Sequence, residues 1–350
     1  MKKWSMILAV ILMITTVLAA CGGKTDQASG NKDSNKESEG SKDKSYTIKV
    51  ANYYAIDHPQ NVALQEKFKP LVEEKSGGSL KVEIYENNKL GGEKEFYTGV
   101  RNGTIEMGIP GMIMQADVPK MGVVERPFLL RDFKHAKEVL NGPIGKEMTD
   151  ELEKVHGVHA LAWSANGFRM VSSNREVASM KDFKGLRLRM PNTPVFVELG
   201  QALGANVSPM PLSEVFTAME QKVVDGQDNP IGVVKSSGFY EVQSHILESR
   251  HGFTPNVLIV NQAFWKKLSP NQKKAVEEAA KEYADYEWKL SEESYESDKK
   301  FLQGKGMKFV TPDEKFMSEM EKAVQPMYES YYKEFPWAKE MVEKIKQQGK

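Results

Sequence analysis

Strand-length apolar runs alternate with helix-length amphipathic runs twice along this chain, and that order limits it to an α/β fold. The first block reads as strand at 46–52, helix at 60–76, strand at 80–85, helix at 93–101, strand at 105–109 and helix at 135–154. Val62, Leu64, Phe68, Leu71 and Val72 fall at helical spacing, and Gly77-Gly78 and Asn102-Gly103 stop the first two helices. The second block gives extended chain at 170–174, strand at 185–190, helix from 194 to 203 and a short strand at 207–210. A helix at 213–224, capped by Gly226, and an apolar strand at 256–261 complete it. Thr193 is a fair N-cap and Pro194 suits the first helical position. The β-α-β order predicts a largely parallel sheet covered by helices. Beyond it, 270–303 has few breakers and reads as one long helix or a pair in line, able to tie two lobes together, and 313–347 reads as mostly helical. From residue 46 onward about three hundred residues remain, enough for two cores. Two such lobes leave a cleft outside the carboxyl ends of the strands, where ligands bind in open α/β sheets.

Residues 1–20 read as a signal peptide. Lys2 and Lys3 precede an apolar run at 4–18, broken only by Ser5, Thr15 and Thr16 and too short for a comfortable membrane span. Leu18-Ala19-Ala20 then places small residues before Cys21, the one cysteine of the chain. That arrangement fits lipidation of Cys21; an ordinary transmembrane anchor with an incidental cysteine is the other reading. A single thiol cannot close an internal disulfide, and lipidation removes what would otherwise be a reactive leftover. Residues 21–45 are expected to be the lipidated cysteine and a disordered linker. The stretch 22–45 has no large apolar residue to offset the ordering of its backbone, and its reach is about 25–30 Å. These features place the chain outside the cytoplasm, anchored to the cell membrane by lipid.

The formal net charge is +0 and no basic block is present, which argues against nucleic acid. No cofactor or catalytic signature is found: no G-x-G-x-x-G, Walker loop, G-x-S-x-G, H-E-x-x-H or C-x-x-C. His156 and His159 form an H-x-x-H without an acidic or thiol partner nearby, and read as loop or packing residues rather than metal ligands. No metal, cofactor or covalent chemistry is expected.

The informative stretch is 169–230. Arg187 and Arg189 alternate with Leu186, Leu188 and Met190, so both arginines face one side of the strand. Arg187 suits a solvated strand edge. Arg189 ends the strand just before a helix N-terminus, and two readings stay open for it: the same basic edge, or a cleft cation. A guanidinium presents two parallel N–H donors that match a carboxylate, and the N–H groups of the following helix favour an anion. Arg169 follows an Asn166-Gly167-Phe168 turn and could be a surface charge. Residues 225–230 (DGQDNP) read as a turn dense in hydrogen-bonding side chains. Glu93, after Gly91-Gly92, could be an ordinary first-turn acid.

From Tyr46 nearly to its end, the chain resembles the DctP-type solute-binding proteins of tripartite ATP-independent periplasmic (TRAP) transporters. The resemblance is carried by KLGGEKEFYTGVRNGTIEMGI, SSNREVASMKDFKGLRLRMPNTPVF and GANVSPMPLSEVFTAMEQKVVDGQDNP. It implies a two-lobed, Venus-flytrap α/β fold, periplasmic-binding-protein-like, with a long helix spanning both lobes. The lobes are expected at 46–166 with 255–294, and at 167–254 with 295–350. It implies that Arg189 forms the salt bridge to a ligand carboxylate, that Arg169 and Asn229 assist, and that Glu93 reaches the ligand's polar far end. Asn52 and Tyr53, with Trp163 and Phe168, would line the other lobe. Leu212 stands where sialic-acid binders carry an aromatic residue, which weighs against that ligand. C4-dicarboxylates, uronates and other sugar acids, and 2-oxo acids all satisfy one arginine anchor. Glu93 and the 166–169 run lean towards a hydroxylated acid such as a uronate. The implied partners are the two TRAP membrane subunits, which drive uptake with sodium rather than ATP, and the protein would act as a monomer. The rival readings are a lipoprotein that presents ligand to a sensor kinase, and a secreted enzyme using Glu93 and a histidine.

Overall fold

The computed structural model describes residues 43–349. Strands within them are β1 (Tyr46–Ala51), β2 (Leu80–Tyr85), β3 (Met107–Gly108), β4 (Val158–Ser173), β5 (Arg187–Met190), β6 (Asn206–Pro209), β7 (Gly226–Asn229), β8 (His245–Asn261) and β9 (Lys308–Val310). They form one sheet in the order β2-β1-β3-β8-β4-β7-β5-β6, with β9 alongside β8. β1 is parallel to β2 and β3, and β5 is parallel to β6 and β7, as helical crossovers demand.

The sheet departs from the expected parallel pattern at its centre. β4 carries the chain from the first lobe into the second and β8 brings it back, so the two pair antiparallel from Val158↔Asn261 to Ser173↔His245. The short extended pieces expected at 170–174 and 256–261 are the ends of these strands of 16 and 17 residues. Their middles escape the apolar pattern because polar residues and register shifts lie there. The shifts fall at Ala160/Ala162, Ala165/Gly167 and Arg169/Val171, where bulges bend the strands between the lobes. Gly167, at φ +115°, takes a backbone conformation that side-chain-bearing residues seldom adopt.

The helix expected at 60–76 is real but carries a wide turn at Leu64–Phe68 between Pro59–Ala63 and Lys69–Lys75. Pro70, which has no N–H to donate, follows directly. The helix expected at 135–154 is two, Phe133–Leu140 and Pro143–His156, because Asn141-Gly142-Pro143 breaks the hydrogen-bond ladder. The long helix Pro270–Gly304 is continuous over 35 residues and starts at a capping box in which Ser269 and Gln272 satisfy each other's backbone donors. Its first half joins the core of the first lobe through Val276, Ala280, Tyr283 and Trp288, and Leu302 near its end joins a core of the second. In the second lobe successive residues of β4, Met170 and Val171, enter clusters on opposite faces of the sheet.

The H-x-x-H histidines part company. Nδ1 of His156 lies 2.5 Å from the Tyr97 hydroxyl, whereas His159 stacks on Trp265 and pairs with Glu153 at 2.9 Å.

Candidate functional site

The cleft-facing chemistry begins with the pleat of β5. Leu188 and Met190 enter the second lobe's core, leaving Arg187 and Arg189 on the other face. Arg187 is exposed and pairs with Asp225, Nη2 at 2.5 Å and Nε at 3.0 Å. Arg189, one pleat further, is 3% exposed. Its Nη2 and Nε donate to the carbonyl oxygen of Met210 at 2.7 and 3.0 Å, and its Nη1 to that of Asp228 at 3.5 Å. Among the described residues, no carboxylate stands within ion-pair distance of it. Burial, and then the charge of Arg169, lower its proton affinity. The site holds a buried cation that forms no ion pair with any of the described residues.

Arg169, on β4, is equally buried but differently served. Its Nε is ion-paired to Asp228, its Nη1 donates to Thr254 Oγ1 at 3.0 Å, and its Nη2 donates to the Asp228 carbonyl at 2.5 Å and Asn229 Oδ1 at 3.5 Å. The Phe196 ring lies 4.3 Å from the guanidinium carbon. Burial alone would raise the Asp228 carboxyl, but Arg169 and His251, whose Nε2 is 2.6 Å from Oδ2, outweigh it and hold it at about 2. The run 225–230 is therefore not a free turn: Gly226–Asn229 is a fully buried strand wedged between β4 and β5. Gly226 does not cap the preceding helix, which ends at Glu220; it lets β7 approach β4, since an added Cβ would stand 2.5 Å from the Ser172 carbonyl oxygen. Asn229 donates to Gln227 Oε1 at 2.6 Å.

The facing wall belongs to the first lobe. Glu93 opens the helix Glu93–Asn102 and accepts from the Gly111 N–H at 2.7 Å. Burial raises its carboxyl to about 7 against the lowering effects of that bond and of Arg189. The Tyr53 hydroxyl lies 3.0 Å from that of Tyr54, and burial pushes its phenol up. Glu125, which nothing in the sequence singled out, sits on this wall, 2% exposed, accepting from Gln115 Nε2 at 2.9 Å. Burial raises it, too, to about 7. Between the walls is a cavity of about 320 Å³ lined by Tyr53, Glu93, Glu125, Arg169, Arg189 and Asn229, with Thr193, Phe196, Leu212 and Thr254. Thr193 precedes its helix as expected, but its hydroxyl makes no capping bond and is buried without a partner. An anion can be met on one side of this cavity and hydrogen-bond donors on the other. Among the described residues, no three His, Cys, Asp or Glu side chains converge as a metal would need.

Three residues expected at the site lie elsewhere. Asn52 is spent within the first lobe, donating to Asn61 Oδ1 at 2.8 Å and accepting from the Tyr54 N–H at 3.0 Å, where it fixes the turn that presents Tyr53. Trp163 belongs to the first lobe's core, its carbonyl accepting from Trp288 Nε1 at 3.0 Å. Phe168 precedes Arg169 on β4, and strand alternation turns it to the opposite face. There it packs edge-on against Phe133 and Phe253 under the Arg250 guanidinium, lining a separate cavity.

Residues 50–334 match the family model for DctP, the bacterial extracellular solute-binding proteins of family 7. The chain belongs to this family. It is a TRAP solute-binding protein with the two-lobed fold of that group. A TRAP periplasmic solute-binding protein from Haemophilus influenzae with bound L-gulonate is 42% identical with a TM-score of 0.83, covering 85% of this chain and 98% of that one. The sugar acid binding protein DctPAm from Advenella mimigardefordensis, in complex with galactonate, is 31% identical with a TM-score of 0.83, covering 86% and 97%. The 2,3-diketo-L-gulonate-binding periplasmic protein YiaO of Escherichia coli is 34% identical over 254 residues, 72% of this chain and 77% of YiaO.

Proposed function

We propose that this TRAP solute-binding protein captures a sugar acid, a polyhydroxylated monocarboxylate, with its carboxylate on Arg189. The observation that carries the reading is the buried Arg189 guanidinium, without an ion pair among the described residues, facing a cavity of ligand size. Arg169 and Asn229 complete the carboxylate's hydrogen bonds, and the opposite wall of Glu93, Glu125 and Tyr53 accepts and donates to hydroxyls. The sugar acids bound by its relatives support the choice of class.

Binding on two lobes gives a mechanism. A carboxylate docks on the second lobe, and closure brings the first over it, expels water and strengthens the charge pair as the effective dielectric falls. Closure follows only to the extent that the closed state holds the ligand better. We assign 46–166 with 255–294 to the first lobe and 167–254 with the chain that follows 294 to the second, a boundary supported by the register shifts of β4 near residues 165–171; the expected second-lobe stretch 295–350 needs correction at its end, where Tyr328, Tyr331, Met341 and Ile345 join the core of the first lobe. The closed form delivers the acid, chemically unchanged, to the two TRAP membrane subunits. The signal peptide, Cys21 and the linker up to residue 42 lie outside the described residues. We assign Cys21 as the lipid anchor, so that Cys21→Ala abolishes acyl labelling and releases the protein from the membrane.

A thermal-shift screen of the purified protein against aldonates, uronates, C4-dicarboxylates and 2-oxo acids tests the class. A ligand at a hundredfold its Kd adds about 2.7 kcal/mol. Stabilisation by dicarboxylates or 2-oxo acids but not by sugar acids would overturn the reading, as would recovery of the acid in altered form.

A further inference from the structure

We propose that Glu125 is a specificity-determining residue of the cleft: its carboxylate accepts a hydroxyl of the ligand's tail and turns away acids that carry a second carboxylate at that end. The proposal rests on the sugar-acid reading and deepens it.

Glu125 closes the short helix Pro119–Glu125, where it is 2% exposed yet borders the cavity. A carboxylate offers about four acceptor positions. One is filled by Gln115, whose amide nitrogen is itself fixed by the Met112 carbonyl at 3.0 Å. The Thr254 hydroxyl hydrogen-bonds to Glu125 as well and Arg169 stands close, but Arg169 is ion-paired to Asp228, and among the described residues Glu125 forms no ion pair of its own. Glu93, on the same wall, is served by the Gly111 N–H. This wall is thus rich in unfilled acceptors, which ligand hydroxyls satisfy and a carboxylate cannot.

The charges of the cleft agree. Asp228 cancels Arg169, which leaves Arg189 as the buried cation for one ligand carboxylate. A second carboxylate on the tail would face Glu93 and Glu125. The other cation of the lining, Lys94, is solvent-exposed. Such a repulsive element discriminates by rejecting the wrong ligand rather than by tightening on the right one.

The test uses a matched pair, galactonate and galactarate, which differ in that the terminal alcohol of the first is a second carboxylate in the other. Calorimetry on the purified protein well above pH 7, where Glu93 and Glu125 carry their charge, should show galactonate preferred by roughly 10–100-fold. Glu125→Gln, which keeps the shape and removes one of the two facing charges, should lower that ratio several-fold, mainly by tightening galactarate. A merely structural role for Glu125 would weaken both acids together and leave the ratio alone, which would overturn the proposal. Equal binding of the pair by the unaltered protein would overturn it without any variant, and would leave the Arg189 anchor standing. Failure of all monocarboxylates to bind would overturn both.

Discussion

The guanidinium of Arg189 is aimed by the carbonyl oxygen of Met210, which takes its Nη2 at 2.7 Å and its Nε at 3.0 Å. A neutral acceptor orients the side chain without cancelling its charge. Arg169 shows the alternative, since Asp228 both orients and neutralises it. Two arginines in one cleft therefore have different roles, and the differences are measurable.

Removing the free cation should weaken binding severely and spare the fold. Arg189→Ala leaves a ligand carboxylate buried without a partner, at a cost of about 3–5 kcal/mol. That is a loss of roughly two to three orders of magnitude in affinity by calorimetry. The ligand-free protein sheds an uncompensated buried charge along with the bonds to the Met210 and Asp228 carbonyls, so its Tm should change little.

Arg169→Ala should behave in the opposite way. It strands the fully buried Asp228 with His251 alone, so the ligand-free protein should lose about 3–5 kcal/mol of stability in denaturant unfolding, alongside its loss of affinity. A Tm unchanged by Arg169→Ala would remove Asp228 from the account.

Glu287 gives the fold a pH dependence at the hinge. The side chain is 0% exposed on the long helix, and it accepts from the Ala165 N–H at 2.7 Å and the Ser291 hydroxyl at 2.6 Å. Burial raises its carboxyl to about 8, against those two bonds. A carboxyl that holds its proton more tightly folded than unfolded contributes stability that is full below the unfolded value of 4.5 and is lost as pH rises through about 8. Glu287→Gln should flatten the fall in Tm across that window. An unchanged slope would show that another group titrates there.

Gly226→Ala should loosen the second lobe. The new methyl would press on the Ser172 carbonyl at 2.5 Å and push β7 off β4, at about 1–3 kcal/mol. Asp228 and Asn229 lie on the displaced strand, so affinity should fall with stability, in contrast to Arg189→Ala.

Much of this was readable from the residues, for identifiable reasons. Amphipathic spacing located most helices, and the GLRLRMPNTP run placed Arg189 at a strand end before a helix, because alternation and capping are local properties. What escaped depends on distant chain. The seam of β4 and β8 is broken by Asn166-Gly167 in one strand and Ser249-Arg250 in the other, so its strands look like turns with short extended flanks. Asp228 looked like turn chemistry because its partners, Arg169 and His251, come from other strands. Glu125 sits between Val124 and Arg126 in a short helix with no period to show which side faces a cavity. The same alternation that could have separated Phe168 from Arg169 applies only once both are known to lie on one strand.

The seam has a consequence for biogenesis. Each lobe takes strands from both β4 and β8, and β8 ends only at Asn261. Neither half can complete its sheet while the ribosome is still making the first two hundred or so residues, since non-local strand pairing must wait for its partner. The topology thereby delays its own closure until most of the polypeptide has been made.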